Sequence, residues 1–136
     1  MTEPRKQRAT GRTDVSAYVP TPYDVPDDGP ALSEVHVSER FTGDIEGDGT
    51  VRVIQAALAD GSKTFAGIER VRGVLAGHQG SFLLQVSGTV VGTEMHAEWF
   101  VVPASGTQQL ARLRGDGGFD AQLGQHGTIW LDYFFE

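Results

Sequence analysis

Phe65-Ala-Gly-Ile-Glu-Arg-Val-Arg-Gly-Val-Leu-Ala-Gly-His-Gln-Gly-Ser-Phe-Leu-Leu-Gln-Val-Ser-Gly-Thr89 reads as two strands joined by a tight turn at Gly77-His78-Gln79-Gly80. Strand side chains alternate in direction, so Phe65, Gly67, Glu69, Val71, Gly73 and Leu75 share one face. The other face carries Arg70 and Arg72 and is the outer one. Glu69 therefore points inward, among apolar residues. Burying a carboxylate costs several kcal/mol unless it is paired or hydrogen-bonded, and burial raises its pKa. Glu69 is then either the working group of a pocket or a structural hydrogen-bond hub.

The facing of Gln85 depends on the turn. A two-residue loop at His78-Gln79 puts Gln85 opposite Glu69, and a loop one residue longer or shorter brings the two together.

Outward from this pair, the chain divides into short apolar runs separated by glycines, of which there are 18 in 136 residues. Strands are expected at Arg8 to Val19, Ala31 to Phe41, Thr50 to Leu58, Lys63 to Ala76, Ser81 to Val91, Thr93 to Val102, Gly115 to Leu123 and Gly127 to Phe135. In the second, Val35, Val37, Glu39 and Phe41 alternate with Glu34, His36 and Ser38. Pro20 to Pro30 reads as a loop and Gly43 to Gly49 as a turn. Ser105 to Leu113 is the one helical piece, with Thr107 as its cap. Residues 1–7 are expected to be a flexible tail and 8–136 a single domain. The expected fold class is all-β: eight antiparallel strands closed into a barrel, with one short helix before the seventh strand. Closure removes the exposed edges of a flat sheet.

The net charge of −7 argues against nucleic acid or an anionic membrane as partner. Without cysteine, disulfides and thiolate chemistry are excluded. No apolar run approaches the ~20 residues of a membrane span, and a cytoplasmic location is expected by default. His36, His78, His96 and His126 form no metal motif, and Asp44, Glu46 and Asp48 lack the frame of a calcium loop. No metal or other cofactor is expected. Trp99 runs in line with Met95, Ala97 and Val101 and faces inward. In the last strand, Ile129, Leu131, Tyr133 and Phe135 oppose Trp130 and Phe134. With both faces apolar, the outer one is a candidate contact in a homo-oligomer.

Phe41-Thr-Gly-Asp-Ile-Glu-Gly-Asp-Gly49, Gly67-Ile-Glu-Arg-Val71, Gly80-Ser-Phe-Leu-Leu-Gln85 and Trp99-Phe-Val-Val-Pro103 occur in order, followed by Ser105-Gly-Thr107 and Leu113-Arg-Gly115. In these segments the chain resembles a small bacterial family known as domain of unknown function 3224, from about Ala9 to Glu136. The resemblance implies a calycin-like barrel similar to that of plant allene oxide cyclase, and no established activity. Many relatives carry a histidine after the glutamine of the fifth strand, where this chain has Val86.

Three functions compete. The first is a barrel binding a small, mostly apolar ligand, with Glu69 as polar anchor and Gln85, Trp99, Tyr133 and Phe65 around it. The second is an isomerase or cyclase of the allene oxide cyclase type, with Glu69 as the charged group. The third is a structural or interaction protein whose barrel is filled solid by Phe65, Trp99 and Tyr133. Ligand binding is favoured over catalysis because no second acid–base partner stands out.

Overall fold

The computed structural model describes residues 5–136. Eight strands close into one antiparallel barrel in sequence order: β1 (Gln7–Asp24), β2 (Ala31–Gly43), β3 (Ile45–Ala57), β4 (Lys63–Leu75), β5 (His78–Val91), β6 (Glu94–Val101), β7 (Leu113–Gln122) and β8 (Gly127–Phe135). Strands such as β4 and β6 bury alternate residues, the period-2 pattern that a barrel wall requires. The strands are strongly staggered. Paired residues followed once round from Ala31 run through Ala57, Lys63, Val90, Met95, Ala121, Gly127 and Thr13, and return to β2 at Phe41, ten residues along.

Large side chains fill the space inside. Phe41 on β2 meets Trp99 on β6 edge to face at 6.5 Å, and Trp99 meets Phe119 at 5.4 Å. Aromatic pairs at such separations favour these tilted and edge-on arrangements.

Four details depart from the expectations. The β4–β5 turn lies at Ala76-Gly77, not Gly77 to Gly80, and pairs Leu75 with His78. Both turn residues take positive φ, 47° and 86°, which matches the twist of a two-residue hairpin. The turn expected at Gly43 to Gly49 is shorter: the chain reverses about Asp44, and Gly47 and Gly49 already lie in β3. Pro20 and Pro22 lie within β1, not in a loop. They are tolerated because β1 pairs with β8 only from Gln7 to Thr13, so beyond Thr13 it is an edge strand bonded to β2 alone.

The helix is the fourth. It shrinks to one 3-10 turn, Gln108–Leu110, and Thr107 does not cap it. The Thr107 hydroxyl instead accepts from the Ser81 N–H at 2.9 Å, and the Ser105 hydroxyl accepts from the Leu83 N–H at 3.1 Å. Residues 105–107 are thereby held along β5, which leaves too few for a helix. Leu110, 1% exposed, packs against Gly80 and plugs that end of the barrel. Of the expected tail, residues 1–4 lie outside the described residues, and Gln7 already belongs to β1. No helix among the described residues is long and apolar enough to cross a membrane.

Candidate functional site

Glu69 faces into the barrel and is 2% exposed. Its neighbours across the ladder are Val51 on β3 and Leu84 on β5, neither of which can bond a carboxyl. The group it meets is a second carboxyl. Glu39 on β2 lies within hydrogen-bonding reach of it, and the Thr13 hydroxyl donates to Glu39 Oε1 at 2.9 Å. Glu69 Oε2 is buried and has no hydrogen-bond partner among the described residues.

Gly49 makes the meeting possible. It sits between Glu39 and Val71 in the ladder. A Cβ there would stand 2.4 Å from Glu69 Oε2, 2.6 Å from Phe41 Cε2 and 3.1 Å from Glu39 Cγ. The missing side chain is the space the carboxyl pair occupies.

Burial pushes the Glu69 carboxyl well above the ordinary range, and the Glu39 charge adds to this. Burial also raises Glu39, against the bonds from Thr13 and Glu69 that favour its ionised form. Two carboxyls this close favour holding one proton between them, with Glu69 the more readily protonated of the two.

Glu39 lies at a seam. Thr13, its hydrogen-bond donor, is the last β1 residue paired with β8. The next inward residues of β1 are Val15, opposite Glu39, and Tyr18, opposite Val37. They are 60% and 50% exposed. Val37 and Val51 beside them are half-buried. An uncovered apolar wall thus leads to the carboxyl pair from the side where β1 parts from β8.

The other expected site residues scatter. Trp99 is buried and meets Phe41, its Nε1–H donating to the Trp130 carbonyl at 3.2 Å. The ring of Phe65 lies over Gly88. Tyr133 donates to Gln7 Oε1 at 3.2 Å and stacks edge-on with Phe135. Gln85 points outward and is exposed, paired with Ile68 and Phe100. It belongs to a groove of about 810 Å3 on the outer surface of β4 to β8, which does not touch Glu69 or Glu39. Among the described residues no three His, Asp or Glu side chains are placed to hold a metal ion.

Glu39 was missed, and the second acid–base partner thought absent is present. The sequence signal for it is its place on one strand face with Val35, Val37 and Phe41, as Glu69 shares a face with Phe65 and Val71.

With this geometry in place, comparison with known proteins identifies the family. Residues 9–133 match proteins of unknown function of the DUF3224 family. The chain belongs to that family. A crystal structure of a DUF3224 protein of unknown function from Shewanella oneidensis MR-1 superposes with a TM-score of 0.79 at 29% identity, covering 97% of this chain and 98% of that one. No curated protein matches. Family membership thus carries the barrel and leaves the chemistry to be argued from Glu39 and Glu69.

Proposed function

We propose that this DUF3224 barrel binds a small, mostly apolar molecule bearing one polar donor group, at the seam beside β1, with the Glu39–Glu69 pair as its polar anchor. The carrying observation is the buried carboxyl pair: apart from the proton shared with Glu39, no described residue satisfies Glu69 Oε2. Buried polar atoms are nearly always satisfied, and one left open beside an uncovered apolar wall suits a ligand's hydroxyl or amine. Val15, Tyr18, Val37 and Val51 supply the wall. The deep interior, filled by Phe41 and Trp99, is not the site; the mouth is. Nile red, a neutral apolar dye, tests the wall: saturable binding that Val37→Asp abolishes in a folded protein supports it, and binding indifferent to that change sinks it. Native mass spectrometry of protein from its own host then reads any retained ligand directly.

A second reading rests on the shared proton. A neutral and an ionised carboxyl at one site can give and take a proton, as an isomerase or cyclase acting on an apolar substrate requires. Turnover of an unsaturated epoxy fatty acid, lost in both Glu39→Gln and Glu69→Gln, supports it. Equal rates in the wild type and both variants reject it.

A further inference from the structure

The outer groove is independent of the carboxyl pair. Its floor is a rung of small residues, Ala66 on β4, Ser87 on β5 and Gly118 on β7, interrupted by Glu98 on β6. The Trp130 indole lies across Gly118, where a Cβ would stand 3.0 Å from Cζ2. The next rung carries Ile68, Gln85 and Phe100. Ile68 and Phe100 are 45% and 43% exposed, a costly amount of apolar surface for one rung of a barrel wall.

Charge on this face is split. Arg70 follows Ile68 along β4 on the same outer face, and it has no carboxylate partner among the described residues. Across the groove, the Glu98 side chain is 80% exposed and reaches only His96, at 4.0 Å. Arg70 lies one outward position beyond the Ile68–Gln85–Phe100 rung, and Glu98 one position before it. Gln85, on the strand between them, is midway.

We propose that a second copy of this chain docks on this face through a two-fold axis. The axis lies along the surface, passes through Gln85 and runs close to Ile68 and Phe100. The rotation leaves Ile68 and Phe100 in an apolar centre made by both copies. It lays Arg70 over the partner subunit's Glu98, in the depression above Ser87 and beside the Trp130 ring. Because the relation is two-fold, the same pair forms twice, as an isologous interface requires. Charge complementarity selects this occupant: the basic and acidic halves of one face match when the face meets itself, and the groove gives an arginine room against an indole.

Sedimentation equilibrium tests the proposal. A dimer is expected for the wild type, and a monomer at all loading concentrations overturns the idea. Ile68→Asp/Phe100→Asp should be monomeric; a dimer that survives this change, in a protein whose circular dichroism is intact, places the interface elsewhere and overturns it too. Arg70→Glu and Glu98→Arg should each weaken association about tenfold or more by setting like charges together. The double variant, which restores opposite charges, should recover most of that loss. Failure of the double variant to recover refutes the two-fold register. None of these changes touches Glu39 or Glu69, so dye binding at the mouth is read separately.

Discussion

The carboxyl of Glu39 meets that of Glu69 inside the barrel, in the space left by the absent side chain of Gly49. Two acids that would repel when ionised are held together by three neighbouring strands, with one proton between them.

Substituting Glu69→Gln should therefore stabilise the protein at neutral pH. The amide supplies permanently the hydrogen that the pair must otherwise retain against its ordinary ionisation. A gain of about 1 kcal/mol is expected in urea unfolding at pH 7.5. A loss of that size would show instead that Glu69 is ionised and compensated.

The pH dependence has a definite sign. The folded-state pKa of Glu69 is raised, so above the ordinary carboxylate range the native protein binds more protons than the unfolded chain. Stability from this group is complete below that range and is lost as pH rises through the folded-state value. Subtracting the Glu69→Gln profile from the wild-type profile should give a curve that falls as pH rises above the ordinary carboxylate range. A flat or rising difference contradicts the shared proton.

Gly49→Ala should cost about 2 kcal/mol, since its methyl would overlap Glu69 Oε2 and the Phe41 ring. In a Glu69→Ala background the carboxyl is gone and only the Phe41 and Glu39 contacts remain, so the same change should cost less. Equal costs in the two backgrounds, measured by urea unfolding, would mean that Gly49 is kept for its backbone and not for the pair.

Trp99→Phe removes the bond to the Trp130 carbonyl and part of the contact with Phe41 and Phe119. A loss of about 2 kcal/mol is expected. Thermal unfolding followed by circular dichroism checks this, and an unchanged midpoint would mean that the interior repacks freely.

Much of the fold was legible because strand alternation is local. Phe65, Glu69, Val71 and Leu75 on one face against Arg70 and Arg72 on the other suffice to orient β4. Turn positions were less legible: Ala76-Gly77 and the three glycines Gly43, Gly47 and Gly49 both looked like other turns, because a glycine serves equally for a hairpin and for close inward packing. The helix at Ser105 to Leu113 was lost to a tertiary competitor, the hydrogen bonds of Ser105 and Thr107 to β5.

The candidate site divides the same way. That Glu69 points inward follows from its neighbours in the chain, since side chains on a strand must alternate. That it meets Glu39, 30 residues earlier, that Gly49 clears the space, and that Gln85 belongs to the outer groove follow only from strand registers and barrel closure. Register is set by the packing of the whole wall at once. Within each strand the sequence determined which residues share a face, and only the closed barrel decided which of them touch across strands.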